Sequence, residues 1–368
     1  MNEKIKRLVK WAEGKKAGPI TLELNVTNRC NLKCQSCWQR EFPVNSNEKD
    51  ELSKAKIMSI VKEAAELGVQ EVRIPGSGEP LLKEGIVDIM KEIKKQNMFG
   101  LLITNGTLFT KQNVAELVKA KWDIVTFSVD SPREKTNDAL RGKNSFSRAV
   151  KSLKLFNDEK NKTGKEKPFL RLNIVLSNKN YKQLFELMKF AVAHSIGDVQ
   201  VQPMTVWGKE GKKLELNQTQ RKELQAEVAK AYKFVLENNI FTNIKDFLES
   251  DIVEKAAEHM DEKIIKERKS ISSHNPFLSL PCFEPFYNLI ILPDGKVAPC
   301  SISGGVDGDN LANKNKTLKQ VWNGKALNEI RESLLSGKLK DYCKKCCSAV
   351  NLENNRIRAK LVKELILK

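Results

Sequence analysis

Hydrophobic and polar positions alternate over the first 200 residues in a pattern that predicts repeated strand and helix units. Amphipathic stretches, with apolar residues three or four positions apart, separate short runs rich in Val, Ile and Leu. These runs predict six strands, at 20–26, 69–75, 99–105, 123–130, 169–176 and 198–204. Such strands joined by helices favour an α/β fold with a buried parallel sheet, closed or curled into a full or partial (β/α) barrel. Functional residues are then expected at the carboxyl ends of the strands.

The pattern changes after residue 204. A polar loop leads into a strongly charged helical stretch, and a hairpin follows with its turn at Pro293-Asp294-Gly295. Helical patterns on either side of a CKKCC turn complete the chain. The predicted organisation is an N-terminal basic helix (1–18), a barrel (19–216), a helical connector (217–280) and a small C-terminal module (281–368).

Composition narrows the class of protein. The 368 residues are 40% hydrophobic and 30% charged, and no apolar run approaches the roughly 20 residues that span a bilayer. Membrane-spanning and wholly disordered classes are therefore excluded. Residues 1–18 lack the apolar core of a secretory signal, which predicts a cytoplasmic protein. The net charge of +18 suits anions, but the lysines are spread along helices as on a solvated surface, so nucleic acid is not favoured as a partner.

The eight cysteines fall in two tight groups, separated by a stretch between Cys37 and Cys282 that contains no cysteine. In a reducing compartment, thiols at short spacings favour metal ligation over disulfides. The first group, CNLKCQSC, places Cys30, Cys34 and Cys37 shortly after the first strand. Three thiolates can hold three irons of a [4Fe-4S] cluster and leave the fourth iron open. A zinc site with a distant fourth ligand is the alternative.

At these residues the sequence resembles the radical S-adenosylmethionine (SAM) superfamily, which implies a partial (β/α)6 barrel. GSGEPLL after the second strand resembles the GGEP motif of the family, with Ser77 in place of a glycine, and Ser36 stands where the family usually has an aromatic residue. The resemblance implies SAM contacts at Trp38, Gly76, Ser77, Gly78, Glu79, Pro80, Thr104, Asn105, Ser128, Asp130 and Arg141.

Within that set, the resemblance implies particular roles. Glu79 would meet the methionine amino group of SAM, Arg141 its carboxylate, and Ser128 its ribose or carboxylate. Trp38 would shield the cluster or flank the adenine. The implied reaction is reductive cleavage of SAM to a 5'-deoxyadenosyl radical, which takes a hydrogen atom from a substrate.

The second cysteine group resembles the auxiliary-cluster modules of the same superfamily, called SPASM with two clusters and Twitch with one. Cys282 and Cys300 flank the predicted hairpin, and Cys343-x2-Cys346 adds two thiols. Only Cys347 follows, which favours a single-cluster Twitch module with an auxiliary [4Fe-4S] cluster held by Cys282, Cys300, Cys343 and Cys346. Cys347 is an alternative fourth ligand, and a zinc ribbon is an alternative site.

A fully ligated auxiliary cluster suits electron transfer and so favours a net oxidation or a bond-forming reaction. The implied partner is a low-potential electron donor, a ferredoxin or flavodoxin. The substrate class stays open among small molecules, peptides, tetrapyrroles and lipids, and an anionic or large substrate fits the basic charge. Glu284 and Tyr287, just after Cys282, are candidates for facing the substrate. The alternative functions are a zinc and nucleic-acid-binding protein and a radical SAM peptide maturase.

Overall fold

The structure is a computed structural model that describes residues 2–42, 44–247, 275–301, 303, 310–313, 315–346 and 348–365. Its strands are β1 (Thr21–Leu24), β2 (Glu71–Ile74), β3 (Phe99–Thr104), β4 (Ile124–Ser128), β5 (Phe169–Leu176), β6 (Asp198–Pro203), β7 (Phe241–Thr242), β8 (Asn288–Ile291) and β9 (Val297–Ala298). Its α-helices are α1 (Glu3–Ala12), α2 (Lys54–Glu66), α3 (Ile86–Lys95), α4 (Lys111–Lys119), α5 (Glu134–Arg141), α6 (Ser145–Thr163), α7 (Leu184–Ala193), α8 (Gly208–Lys212), α9 (Gln218–Glu237), α10 (Glu284–Tyr287), α11 (Leu318–Trp322), α12 (Lys325–Leu335) and α13 (Ser348–Leu365).

Within the described residues, nine strands form one sheet in the order β7-β6-β5-β4-β3-β2-β1-β8-β9. Neighbouring strands are parallel except β8 and β9, which are antiparallel. The six predicted strands are confirmed, as is the α/β class with a partial barrel of parallel strands.

One face of the sheet packs on the main core, and the opposite face carries both polar and apolar side chains. In β5 the side chains of Leu170, Leu172 and Ile174 are buried in the main core, whereas Arg171 and Asn173 are half-exposed on the opposite face. This alternation differs from the expected burial on both faces, because the period-two pattern of FLRLNIVL turns every second side chain away from the helices. We call the opposite face the polar face.

Charged side chains pair with each other across the polar face. Arg171 of β5 lies beside Asp198 of β6, with its Nε 2.7 Å from the Asp198 carboxylate, and Gln200 donates to the same carboxylate. Arg73 of β2 pairs with Glu71 of the same strand at 2.6 Å. The polar face therefore carries internally paired charges and amide side chains, together with apolar side chains from β3 and β8.

The segment predicted as a helical connector also adds to the barrel. In α9, Leu224, Val228 and Val235 lie in the main core, and β7 pairs with the start of β6. Beyond β7 the Asn243 side chain exchanges hydrogen bonds of 2.8 Å with the backbone of Val201, as a neighbouring strand would. A two-residue strand behind a heavily charged helix carries too little hydrophobic pattern to be predicted. Residues 248–274 of the predicted connector lie outside the described residues.

The predicted hairpin is confirmed, and it belongs to the same sheet as the barrel. β8 and β9 are joined by a turn in which Gly295 adopts φ +83° and donates from its N–H to the Leu292 carbonyl. β8 pairs in parallel with β1, with Leu289 opposite Leu22 and both fully buried. The C-terminal module is thereby attached to the first barrel strand.

A second hydrophobic core joins the two ends of the chain. Ile5 and Leu8 of α1 pack with Phe286, Ile330 and Leu361 from the C-terminal module. The predicted N-terminal basic helix is thus a structural part of that module. Within the described residues, no helix combines the length and apolar character needed to cross a membrane.

Arg331 is a buried charge at the edge of this second core. Its guanidinium lies 4.2 Å from the ring centroid of Trp322 and donates to the carbonyls of Pro285 and Trp322, each at 2.9 Å. Burial lowers the pKa of Arg331 to about 10. The planar guanidinium spreads its donors over three nitrogens and reaches both carbonyls while it stacks on Trp322, whereas the ammonium of lysine donates from a single nitrogen and cannot stack.

We therefore expect Arg331→Lys to reduce the free energy of unfolding by about 2 to 3 kcal/mol, because a buried charge loses part of its hydrogen bonding. Chemical denaturation followed by tryptophan fluorescence measures this. The matched control is Arg356→Lys, since Arg356 forms an exposed ion pair with Asp246 at 2.7 Å and should matter by less than about 1 kcal/mol. Equal effects of the two substitutions would contradict the assigned role.

Candidate metal and cofactor site

The first cysteine group lies on the loop that follows β1. Cys30 is exposed, Cys34 and Cys37 are half-buried, and the three thiols interact with one another electrostatically. The N–H of Leu32 points at the Cys30 sulfur at 3.5 Å, and the N–H of Cys37 donates to the Cys34 carbonyl at 3.3 Å. The backbone of this loop therefore gathers the three thiols at the carboxyl end of the first strand.

The GSGEP loop after β2 is attached directly to the cysteine loop. Gly78 donates from its N–H to the Thr27 carbonyl at 2.9 Å, and Glu79 donates to the Arg29 carbonyl at 2.8 Å. A Cβ at position 78 would lie 2.1 Å from the Arg29 carbonyl oxygen, so only glycine permits this approach. Gln39, which was not singled out from the sequence, donates to the Ser77 carbonyl at 2.8 Å.

Glu79 connects the second and third loops. Its side chain is 1% exposed, and its carboxylate accepts from the Thr104 hydroxyl at 2.6 Å and from the N–H groups of Asn105 and Leu81 at 2.8 and 3.2 Å. Burial raises the pKa of Glu79 despite these hydrogen bonds. These hydrogen bonds place the carboxylate against the TNG turn, and the implied contact of Glu79 with the amino group of SAM stays a prediction.

The TNG turn is joined in the same way to the cysteine loop. The Asn105 side chain donates to the Asn31 side chain at 2.9 Å, and Asn31 donates to the Thr107 hydroxyl at 2.8 Å. Asn31 was not predicted as a site residue, and its place between Cys30 and Cys34 is the sequence feature that marked it. Three successive loops thus form one connected group at the carboxyl edge of the sheet.

Asp130 and Arg141 form a buried ion pair under the cysteine loop. The Arg141 guanidinium lies 2.7 and 3.0 Å from the two Asp130 oxygens, and the N–H of Val175 donates to Asp130 at 2.8 Å. The Cys34 thiol donates to the Arg141 carbonyl at 3.5 Å. Burial raises the pKa of the Cys34 thiol, and the nearby positive charge of Arg141 opposes that shift.

Four other predicted cofactor contacts belong to this group, and two of them, Ser128 and Trp38, lie at its rim. Ser128 ends β4 half-buried on the polar face, and its register partner on β5 is Asn173. Trp38 begins the turn that directly follows Cys37 and is half-buried. Gly76 is exposed, and Pro80 is buried at the start of a 3-10 turn.

Sequence reasoning missed a buried carboxylate that joins the cysteine loop to the C-terminal hairpin. Glu51 accepts from Arg29 at 3.1 Å and from Lys83 at 2.9 Å, and the next residue, Leu52, donates from its N–H to the Pro293 carbonyl at 2.7 Å. The position of Arg29 beside Cys30 was the available signal. The hairpin turn is therefore held against the first cysteine loop.

The second cysteine group lies around the open end of the hairpin. Cys282, before β8, is buried in the second core, and Cys300 follows β9. The Tyr342 hydroxyl interacts electrostatically with the thiols of Cys343, Cys300 and Cys282, which places these three cysteines in one neighbourhood. The N–H of Cys346 donates to the Cys343 carbonyl at 3.3 Å. The alternative ligand Cys347 lies outside the described residues.

Glu284 and Tyr287, the two candidate substrate-facing residues, contact each other. The Tyr287 hydroxyl and the Asn288 amide both donate to the Glu284 carboxylate. Burial, with Glu284 beside it, raises the pKa of Tyr287 well above its usual value. Arg73 on the polar face and Cys282 both interact electrostatically with Glu284. The pair thus lies between the second cysteine group and the polar face.

The donor sets fit iron–sulfur clusters. Each group supplies thiols and no competing histidine, and thiolate is the usual ligand of such clusters. In the part of the chain that the structure describes, no group of three His, Cys, Asp or Glu side chains is spaced to hold a metal ion. A cubane cluster binds each thiolate through a different iron, so its ligands stand farther apart than those of one ion.

Two family models match the chain. One, described as the radical SAM superfamily, covers residues 24–191, and the other, described as an iron–sulfur cluster-binding domain, covers residues 282–347. Together the two matched ranges contain all eight cysteines. The two matched domains imply [4Fe-4S] clusters and SAM as cofactors.

Several curated proteins are similar in sequence. A tungsten-containing aldehyde ferredoxin oxidoreductase cofactor-modifying protein from Pyrococcus furiosus is 29% identical over 46% of this chain and 47% of its own length. A GTP 3',8-cyclase from Petrotoga mobilis is 33% identical over 36% of this chain and 41% of its own length, so the chain spans less than half of these two relatives. A PqqA peptide cyclase from Bradyrhizobium diazoefficiens is 24% identical over 89% of this chain and 78% of its own length.

Solved structures share the fold. Streptococcus suis SuiB bound to S-adenosylmethionine superposes with a TM-score of 0.63 at 20% identity, over 89% of this chain and 71% of that one. Native anSMEcpe with bound AdoMet superposes with a TM-score of 0.60 at 18% identity, over 95% of this chain and 99% of that one. The likeness therefore includes both the barrel and the C-terminal module.

The buried Asp130–Arg141 pair generates a testable expectation. Asp130→Asn should lower the free energy of unfolding of the metal-free protein by about 3 kcal/mol, because it leaves the Arg141 charge buried without a counter-charge. Chemical denaturation measures the loss. Glu186→Gln is the matched control, since it neutralises one partner of the exposed pair with Arg133 at 2.6 Å and should cost less than about 1 kcal/mol. A loss no larger than that of the control would show that Arg141 has another source of stabilisation.

Proposed function

This chain belongs to the radical SAM superfamily and carries a C-terminal iron–sulfur cluster-binding domain, and from that premise we propose that it cleaves SAM reductively and removes a hydrogen atom from its substrate. The observation that carries the proposal is the three-cysteine loop at the end of β1, joined by hydrogen bonds to the GSGEP and TNG loops. That arrangement places three thiols beside a glycine-rich backbone.

Cys30, Cys34 and Cys37 would hold the first [4Fe-4S] cluster. When bound, the cluster and SAM supply a 5'-deoxyadenosyl radical by one-electron reduction of SAM, with methionine as the other product. The electron would come from a low-potential ferredoxin or flavodoxin. The thiols must lose their protons to act as ligands, and the Arg141 charge beside Cys34 favours that loss.

The proposed SAM contacts are residues of the three loops and of the Asp130–Arg141 pair. The backbone at the exposed Gly76 and the half-buried Ser77 would receive the amino group of SAM together with the Glu79 carboxylate. Arg141 would offer its remaining N–H groups to the carboxylate of SAM, while Asp130 holds the guanidinium in place. Ser128 and Trp38 would contact the nucleoside from the rim.

Cys282, Cys300, Cys343 and Cys346 would hold one auxiliary [4Fe-4S] cluster. When bound, such a fully ligated cluster supplies an acceptor for one electron. β8 runs parallel to β1, and Cys282 packs with Ile20 at the amino end of β1, whereas Cys30 lies beyond its carboxyl end. The polar face of the sheet therefore extends between the two groups, which suits a substrate held there.

Glu284 is the proposed proton acceptor for the oxidation. A substrate that gives a hydrogen atom to the adenosyl radical, one electron to the acceptor and one proton to Glu284 is oxidised by two electrons. The Glu284 carboxylate is oriented by the Tyr287 hydroxyl and the Asn288 amide, and it is near Arg73 on the polar face. This assignment supports an oxidoreductase activity.

A peptide is the proposed substrate class. The similarity to a PqqA peptide cyclase extends over 89% of this chain, whereas similarity to the GTP 3',8-cyclase of Petrotoga mobilis extends over 36%. A mycofactocin maturase from Mycolicibacterium smegmatis is 28% identical over 52% of this chain. Amide side chains on the polar face, such as Asn173 and Gln200, can both donate to and accept from peptide groups.

The test is anaerobic reconstitution followed by metal analysis and SAM cleavage. We expect about eight irons per chain and slow, dithionite-dependent formation of 5'-deoxyadenosine without added substrate. Cys30/Cys34/Cys37→Ala should keep about half of the iron and lose SAM cleavage, because it removes only the open cluster.

Cys343/Cys346→Ala is the matched control, and it should also keep about half of the iron while retaining SAM cleavage. Far-UV circular dichroism establishes that each variant is folded, because a metal site also stabilises a small module. Stoichiometric zinc in place of iron would contradict the proposal and favour a non-redox zinc protein.

A further inference from the structure

The Tyr342 hydroxyl is a buried polar group that finds no hydrogen-bond partner in the part of the chain that the structure describes. Tyr342 directly precedes Cys343 in the 3-10 turn Asp341–Lys345. Leaving a buried hydroxyl without a partner costs about 1 to 3 kcal/mol. Such a group normally marks the place of an acceptor, and the described residues do not supply one here.

The neighbours of this hydroxyl indicate the chemical nature of its hydrogen-bond acceptor. It interacts electrostatically with the thiols of Cys343, Cys300 and Cys282, three of the four proposed ligands of the auxiliary cluster. A neutral thiol is a weak acceptor, whereas cluster sulfur and thiolate carry negative charge and accept more strongly. The acceptor therefore becomes strong only when the cluster is bound.

Two other tyrosines of the chain contrast with Tyr342. The Tyr181 hydroxyl donates to Glu223 at 2.6 Å, and the Tyr287 hydroxyl donates to Glu284. Each of these phenols has a carboxylate as its acceptor. Tyr342 instead directs its hydroxyl into a neighbourhood of sulfur.

We propose that the Tyr342 hydroxyl donates a hydrogen bond to a sulfur of the auxiliary cluster and thereby raises the reduction potential of that cluster. Hydrogen bonds to cluster sulfur stabilise the reduced form more than the oxidised form, because the reduced form carries one more negative charge. The inference rests on the proposed function, since it needs a cluster at Cys282, Cys300 and Cys343. It makes Tyr342 a residue that tunes how readily this cluster accepts an electron.

The experiment is a redox titration of the auxiliary cluster, followed by electron paramagnetic resonance. Cys30/Cys34/Cys37→Ala serves as the parent protein, so that the auxiliary cluster is the only one observed. Adding Tyr342→Phe should lower the ratio of reduced to oxidised cluster about tenfold at a fixed potential, which is about 59 mV in midpoint for one electron. Tyr181→Phe in the same parent removes a distant phenol oxygen and should leave the midpoint unchanged.

The free energy of unfolding, compared between the metal-free and the reconstituted protein, gives a second readout that distinguishes a hydrogen bond to the cluster from packing. In the metal-free protein, Tyr342→Phe removes a hydroxyl without a partner, so the free energy of unfolding should stay the same or rise. In the reconstituted protein the same substitution should lower it, because a charge-assisted hydrogen bond is lost. A loss of equal size in both forms would assign Tyr342 to packing and overturn the inference.

The outcomes separate the inference from the proposed function. A parent protein with about four irons whose midpoint is unchanged by Tyr342→Phe overturns the inference alone. A parent protein that binds no iron overturns the auxiliary cluster and the inference together. Because the resonance signal comes only from assembled clusters, a variant with partial iron content still reports its midpoint.

Discussion

The pairing of β8 with β1 is the contact on which the arrangement of this molecule depends. β1 leads into the first cysteine loop, and β8 follows Cys282, so one parallel strand pair connects both thiol groups. The strand pair is buried, with Leu22 and Leu289 fully covered. A module joined only by a flexible linker would leave the spacing of the two groups undefined. Here it is fixed by the hydrogen bonds of a single sheet.

Buried carboxylates hold the loops at the carboxyl edge of the sheet in fixed positions. Glu79 connects the second loop to the third by hydrogen bonds. Glu51 connects the cysteine loop to the second loop and lies next to the contact with the hairpin. Asp130 holds Arg141 beneath Cys34. Each of them has several hydrogen-bond donors, which offset the cost of burying a carboxylate. The loops that would surround the cofactor are thus positioned before it binds, which limits the reorganisation that binding requires.

The sequence predicted the six barrel strands and the hairpin because their periodicity and turn residues are local signals. It also located both cysteine groups, since ligand spacing is local. It did not predict β7, whose two residues gain their place from pairing with β6. It also missed Glu51 and Tyr342, because an acidic residue in a polar loop and a tyrosine beside a cysteine reveal their partners only when distant segments meet. The hydrogen bonds of Glu79 to the TNG turn have the same origin.

The central claim is that one cluster has an open iron that binds SAM and the other is closed. Mössbauer spectroscopy of protein reconstituted with 57Fe, recorded before and after addition of SAM, tests it most directly. The account predicts that SAM changes the signal of about one iron in eight and leaves the auxiliary cluster unaltered. A spectrum that SAM does not change, or one in which both clusters respond, would contradict it.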